Sequence, residues 1–161
     1  KDDGKNNTSR HYLFTAEREA VLKRVFGLLL ILRKIKLHFK KPETFKIKSK
    51  KYKALLSNRP AGATWNRQDD FQLLKGVANS GYGAWELLIQ DPELWCFDGH
   101  TYKSVSDIKK KNFTKITGIK DLEQIPNDSM TNFLGEYFSM RVNKIIECLL
   151  EEEDMKEHTT K

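Results

Sequence analysis

The sequence has little cysteine and little proline, and it has no long hydrophobic run. Its 161 residues include 2 cysteines and 4 prolines. Cys96 and Cys148 lie far apart and neither belongs to a CxxC pair, which argues against a disulfide framework and a zinc site and is typical of a reducing compartment. The longest apolar run, residues 25–32, is far shorter than the ~20 residues that a membrane span needs. We therefore expect a soluble chain without a structural metal.

Patterns that carry catalysis are also missing. The sequence contains no GxxxxGK[ST] phosphate-binding loop. Its four histidines are scattered, and neither cysteine has a general base nearby in sequence, so no set of nucleophile, base and orienting group can be assembled. The histidines are His11, His38, His100 and His158. We predict a non-catalytic segment that needs no cofactor.

Positive charge is concentrated in the first part of the chain. Residues 1–64 hold 17 Lys and Arg against 5 Asp and Glu, whereas residues 65–161 carry a net charge of −5. Within the basic part, residues 33–53 contain ten cations and one acid, Glu43. Such a block predicts a polyanionic partner, with a solvated linker or a nuclear-import signal as the alternative.

The hydrophobic spacing predicts an all-α protein. Residues 1–14 are polar, and we expect them to form a disordered tail. From the predicted N-cap Thr15, apolar residues recur every three or four positions to about Lys40, which predicts a long amphipathic helix that Pro42 stops. This helix and the basic connector after it make up residues 15–63.

The stretch TWNRQDDFQLLKGVANSGYGAWELLIQDPEL, residues 64–94, predicts two helices joined by a tight turn. Asn66 is placed to cap the first helix, with the carboxylates of Asp69 and Asp70 in the first turn, where the helix dipole favours anions. Gly81 is placed to end that helix as its left-handed residue. The second, shorter helix runs to the Asp-Pro pair.

The remainder predicts an insertion and a second long helix. Residues 95–128, approximately, show little periodicity, and we expect a long insertion with a mobile basic cluster. Residues 129–153 return to spacings of three and four and predict the last helix, which leaves residues 154–161 as a flexible tail. The predicted helical domain therefore spans 64–153. Its predicted core residues are Trp65, Leu73, Leu74, Val77, Trp85, Leu88, Phe138, Ile145 and Leu149.

This domain resembles a known family in the order of its motifs. The pattern W-x4-D-x2-L-L-x-G-V followed by GYGAWELLIQDPEL is similar to the SANT/SLIDE-like segment of chromodomain-helicase-DNA-binding (CHD) chromatin remodellers. FSMRVNKIIECLLEEE (138–153) resembles the closing helix of that module. The resemblance implies a Myb/SANT-SLIDE-like three-helix fold of the helix-turn-helix type and a nuclear location. It also implies a parent protein whose ATPase motor lies outside this chain, and it leaves the CHD branch open.

The cations are the predicted contacts to linker or nucleosomal DNA. Lysine acts as a point charge and bidentate arginine is scarce, so we expect phosphate contacts with counterion release and no base readout. On the last helix, Arg141 and Lys144 lie one turn apart, with surface ion pairs as the alternative to DNA contact. The predicted DNA-binding residues are Lys46, Lys48, Lys50, Lys51, Lys53, Lys109, Lys110, Lys111, Lys115, Arg141 and Lys144.

A second hypothesis is a protein-interaction scaffold. The acidic C-terminal part of the chain, which includes residues 151–154, would bind a basic histone tail, or an apolar groove would take up a helix from a remodeller-complex subunit. A Myb-like factor unrelated to chromatin is the third reading.

Overall fold

The computed structural model describes residues 4–96, 99 and 101–160, with side chains from residue 15 onward. Within these residues every regular element is a helix, which confirms the predicted all-α class. The α-helices are α1 (Gly4–His38), α2 (Lys50–Ser57), α3 (Arg67–Ser80), α4 (Trp85–Gln90), α5 (Pro92–Trp95), α6 (Val105–Thr117) and α7 (Asn127–Thr159).

Both long helices extend beyond their predicted limits. The N-cap expected at Thr15 lies inside α1, which begins at Gly4, so residues 4–14 are helical rather than a disordered tail, while residues 1–3 lie outside the described part. No glycine or proline interrupts the sequence between Gly4 and Gly27. At the other end of the chain, α7 continues to Thr159 through most of the expected flexible tail.

The predicted helix-turn-helix is formed by α3, a glycine turn and α4. A capping box starts α3, because the Asn66 side chain accepts the N–H groups of Gln68 and Asp69 while the Asp69 carboxylate accepts the N–H of Asn66. Gly81 and Gly83 both adopt φ of 93°, a conformation that other residues rarely enter, so the turn depends on them.

Residues 95–128 do not form the structureless insertion that the sequence predicts. They contain α6, which buries Ile108, Phe113 and Ile116 and packs against α4 and α7. The periodicity is hidden in the sequence because Asn112, a polar residue, occupies a buried position of the same stripe. The basic cluster of this segment therefore lies on an ordered helix.

The core is built around α7, which packs against α1, α2, α3, α4 and α6. Its centre is an aromatic cluster in which the ring centroids of Trp65 and Trp95 lie 5.8 Å apart and those of Trp95 and Phe138 lie 5.6 Å apart. The predicted core residues are buried, except that Trp85 is half-buried at the glycine turn.

Gly27 lies where α1 crosses α7, and we expect Gly27→Ala to lower the free energy of unfolding by about 1–2 kcal/mol because of overpacking. A Cβ there would approach Cγ2 of Ile146 to 2.3 Å. The clash opposes the helix preference for alanine over glycine of about 1 kcal/mol. Urea unfolding measures the change. The matched control is Gly135→Ala in α7, where the nearest atom to the new Cβ is 3.9 Å away and stability should rise. If Gly27→Ala and Gly135→Ala both raised the free energy of unfolding, α1 and α7 would have room for a methyl group at their crossing and the overpacking argument would be wrong.

Candidate functional site

The segment between α1 and α2 presents a row of lysines on one side. Burial alternates along it in the two-residue period of extended chain, which puts alternate side chains on the same face about 6–7 Å apart. The inward residues are Phe45, Ile47 and Ser49, and the exposed residues are Lys46, Lys48 and Lys50, the last of which begins α2.

The acidic end of α7 holds this segment in place. Lys34 of α1 donates to Glu152 Oε1 at 2.8 Å, and the second oxygen of the Glu152 carboxylate accepts the backbone N–H of Lys48 at 3.3 Å. The hydroxyl of Ser49 donates to Glu151. These contacts fix the backbone of the segment and leave its lysine side chains in solvent.

Helix α2 begins with cations where the helix dipole disfavours them. Ser49 caps the helix by accepting the N–H of Tyr52 at 3.2 Å, and the next two residues, Lys50 and Lys51, occupy the first turn without any acid. Cations near a helix N-terminus add to the positive end of the dipole, which is unfavourable for the helix but attracts anions. The lysines at the start of α2 therefore lower the stability of the helix but make its N-terminus a better site for an anionic ligand.

The lysine row lines a groove of about 460 Å³, which lies between the segment before α2, α2 itself, the start of α3 and the end of α7. Five of its lining residues are cations and none is an acid. The cations are Lys46, Lys48, Lys50, Lys53 and Arg67. We call this concavity the basic groove. Sequence reasoning missed Arg67, although its position directly after the cap Asn66 places it on the exposed first turn of α3.

Two further predicted DNA-binding cations line one groove on the other side of α2. Lys51 and Lys144 both line a shallower groove of about 340 Å³, together with Glu147 and Cys148. Because Glu147 lies among these residues, this second groove has a weaker positive character than the basic groove. Lys144 is exposed there, as a phosphate contact requires.

Arg141 is not a surface residue, which corrects its prediction as a DNA contact. Its side chain is 6% exposed, and its Nε and Nη2 donate to the two carboxylate oxygens of Asp70 at 2.7 Å each. Asp70 is itself fully buried and also accepts the Trp65 indole N–H at 2.8 Å and the Tyr52 hydroxyl at 2.9 Å. The pair joins α3 to α7 in the interior and is unable to reach DNA.

Burial shifts the pKa values of the groups around this pair. Burial lowers the pKa of Arg141, but the hydrogen bonds and charge of Asp70 outweigh that effect and the net shift is upward. Burial raises the pKa of Tyr52, with Asp70 adding to the shift, and burial raises the pKa of Tyr137 to about 12. Both phenols therefore stay protonated at neutral pH, which suits the Tyr52 hydroxyl as a donor.

The cations of α6 divide into structural and exposed residues. Lys115 donates to the buried carboxylate of Asp69 at 2.8 Å, and Lys109 is buried, so neither is free to bind phosphate as predicted. Burial raises the pKa of Asp69, and Lys115 opposes the shift. Lys111 lies over the Tyr102 ring at 5.2 Å, whereas Lys110 is exposed. Lys110 is thus the best placed of the four for an outside partner.

Residues 40–110 match the family described as ATP-dependent helicase CHD1-2/hrp3 HTH domain. The match covers less than half of the chain, from the basic segment through the helix-turn-helix into α6, and it supports the resemblance to the CHD family. It ends before α7, so it does not include the segment 138–153 that resembles a closing helix. No curated protein and no solved structure matches the chain.

The described residues contain neither a candidate metal site nor a candidate membrane span. They hold no group of three or more His, Cys, Asp or Glu side chains that could bind a metal ion. No helix among them is both long and apolar enough to cross a membrane.

Proposed function

We propose that this chain is a DNA-binding SANT/SLIDE-type module of a nuclear CHD chromatin remodeller, and that it contacts linker or nucleosomal DNA through phosphates without reading base sequence. The observation that carries the proposal is the basic groove, in which five cations and no acid line one concavity. All five cations lie within the segment that matches the CHD1-2/hrp3 HTH domain.

Geometry and charge in the basic groove suit a phosphate backbone. Lys46 and Lys48 lie on extended chain and Lys50 follows them as the first residue of α2, so one nucleic-acid strand running along the row meets a cation about every 6–7 Å. The N-terminus of α2 adds the positive end of its dipole at the same place. Lysine makes point-charge contacts and carries no base pattern, so sequence-independent binding is expected.

The helix-turn-helix has a supporting role in this proposal. Asp70, at the start of α3, accepts the hydroxyl of Tyr52 from α2, and this bond ties the helix that carries Lys50 and Lys53 to the core. Phe45, a buried residue of the segment that carries the lysine row, packs on Phe71 of α3 with the two ring centroids 5.3 Å apart. The folded module thus sets the position and orientation of the groove. Lys51 and Lys144 extend the predicted footprint on the other side of α2, and Lys110 is a separate exposed cation on α6.

The protein-interaction alternative has lost its main support. It depends on the acids at 151–154 being available to a histone tail or subunit, but Glu151 and Glu152 hold the basic segment and Glu153 pairs with Lys156. Of these acids Asp154 lies exposed in the described structure. Docking of a protein at this end of α7 therefore requires contacts other than that acidic run.

We expect changing Lys46, Lys48, Lys50 and Lys53 together to glutamine to weaken binding to a short random-sequence duplex at least about tenfold. The slope of log affinity against log salt should also become shallower by about 0.9 for every phosphate that the variant no longer neutralises. Fluorescence anisotropy over a salt series measures both quantities. The matched control changes four exposed lysines outside the groove to glutamine and so removes the same four positive charges. These are Lys23, Lys40, Lys103 and Lys120.

The control separates a binding site from general attraction. Small changes in the control beside large ones in the groove variant support the proposal. Equal reductions of affinity in both variants would mean that net charge alone attracts DNA and that the groove is not the site. Absence of binding by the unchanged protein at low salt would overturn the DNA-binding function and return the module to the class of protein scaffolds.

A further inference from the structure

The surface around Trp85 is apolar and takes no part in the proposed DNA contact. Two grooves of about 650 and 470 Å³ meet at Trp85, between α4 and the first half of α7. Met140 is 44% exposed in the larger groove and Leu87 is 64% exposed in the smaller one, although side chains of this kind are more often buried. We call the surface of the two joined grooves the Trp85 patch.

Trp85 differs from the other two tryptophans in its indole N–H group. Trp65 donates to the buried carboxylate of Asp70 and Trp95 donates to the carbonyl of Leu88, both at 2.8 Å. The Trp85 side chain is half-buried, and its N–H donates to no described residue. A tryptophan with part of its ring exposed and an unused donor is typical of a protein-protein contact, because the ring supplies apolar area and the N–H can bind a carbonyl of the partner.

The charge of the Trp85 patch is negative. Lysine and arginine are absent from residues 76–102 and 121–140, which supply the whole lining of both grooves except Asn143. Glu86 and Glu136 are exposed in the grooves, and neither forms an ion pair with a described residue. The other acids of the two segments are Asp91, Glu93, Asp98, Asp121, Glu123 and Asp128.

Cations approach the Trp85 patch at its Asn143 end. Arg24 of α1 lies over the Tyr82 ring at 5.0 Å, and the Tyr82 hydroxyl donates to Asn143 at 2.8 Å. Lys144, the next residue of α7, lines the two grooves beside α2. Glu136 lies seven residues before Asn143, about 10 Å along the helix. The positive charge of a partner is therefore best placed near Glu136, away from that end.

We propose that the Trp85 patch binds a segment of a partner protein that is rich in lysine and arginine and carries an apolar anchor. The anchor packs against Trp85, and the cations lie beside Glu86 and Glu136. A second copy of this chain fits less well, because two chains with a net charge of +7 repel each other. The proposal is independent of the basic groove, which meets α7 at Met155, about 18 Å beyond Asn143 along the helix.

A lysine-rich peptide tests the proposal on the whole chain. The probe is a labelled peptide of about 12 residues with lysines on both sides of a central leucine pair, and a second peptide carries serines in place of the leucines. Fluorescence anisotropy should show at least about threefold tighter binding of the leucine peptide. Glu86→Gln/Glu136→Gln and Leu87→Gln/Met140→Gln should each weaken that binding at least about threefold. Thermal unfolding and DNA affinity should stay unchanged, because all four side chains are exposed and lie outside the basic groove.

The matched control removes the same charge from two other exposed glutamates, as Glu43→Gln/Glu157→Gln. Glu157 lies 21 residues beyond Glu136 on α7, about 30 Å along the helix, so the control should keep the peptide affinity within about twofold. Equal weakening in the control and in Glu86→Gln/Glu136→Gln would mean that overall charge attracts the peptide, and the assignment of the partner to this patch would be wrong.

The remaining outcomes also decide against the proposal. No binding of the leucine peptide, or equal binding of the leucine and serine peptides, would show that the Trp85 patch does not anchor a basic segment. Light scattering that shows a dimer of the unchanged chain, abolished by Leu87→Gln/Met140→Gln, would assign the patch to a second copy. DNA binding that persists through any of these results leaves the proposed function intact.

Discussion

Arg141→Met is expected to lower the free energy of unfolding by about 3–5 kcal/mol, the range for breaking a buried ion pair by removing one partner. Methionine keeps much of the length of the side chain, so the destabilisation comes from charge rather than from an empty space. Asp70 would remain fully buried as an anion, with only the Tyr52 hydroxyl and Trp65 indole as donors. Two hydrogen bonds of 2.7 Å to the guanidinium would be gone.

Urea unfolding with a double-mutant cycle measures this effect. Adding Asp70→Asn to Arg141→Met removes the uncompensated anion, so the double variant should be more stable than Arg141→Met alone. The matched control is Lys144→Met on the exposed side of the same helix, which should change stability by less than about 0.5 kcal/mol. If Arg141→Met kept full stability and lost DNA affinity, the interior assignment would be wrong and the residue would be a phosphate contact.

Gly118→Ala is expected to cost about 2–4 kcal/mol because left-handed strain and overpacking act at the same position. Gly118 ends α6 at φ 77°, and an added Cβ would lie 2.2 Å from the carbonyl oxygen of Ala61. The clashing oxygen belongs to the backbone, so no side chain is able to rotate away. The loop is also held to α6 here, because the Lys115 carbonyl accepts the N–H groups of Thr64 and Trp65 at 2.8 and 2.9 Å.

A second glycine separates strain from steric overlap. Gly83 adopts φ of 93°, and a Cβ added there would have no atom within 4 Å, so Gly83→Ala carries the conformational cost of about 1–2 kcal/mol without a clash. Chemical unfolding of both variants should show the larger destabilisation for Gly118→Ala. Equal destabilisation would mean that the loop at Ala61 yields to the added methyl group and that the close approach of the two backbones contributes little to stability.

Local signals are sufficient to predict the helix-turn-helix. The Asn66 cap and the apolar spacing of α3 are each decided by atoms within a few residues, and the structure confirms them. Gly81 ends α3 as predicted and has a positive φ of 93°, but its ψ of 159° lies outside the left-handed helical region that the sequence predicts. Predictions that depend on distant neighbours are less accurate. The sequence explains the carboxylates of Asp69 and Asp70 by the helix dipole alone, yet both are buried and paired with cations 46 and 71 residues away.

The exposure of the basic block is predictable from the sequence, but its organisation is not. Alternation of apolar and basic residues over 45–48 is visible in the sequence, whereas the pairing of this block with Arg67 requires α3 to fold against α2. Lys109 and Lys115 look like neighbouring lysines of the same charge cluster, and only packing of α6 turns them inward.

The sequence by itself determined the helical class, the helix-turn-helix and the surplus of positive charge, because spacing, caps and composition act over short distances along the chain. The tertiary structure alone decided which cations are available to a partner. Arg141 and Lys115 are withdrawn from an outside partner because the buried carboxylates of Asp70 and Asp69 meet them. These pairs depend on how α3, α6 and α7 pack, and no local pattern of residues specifies them.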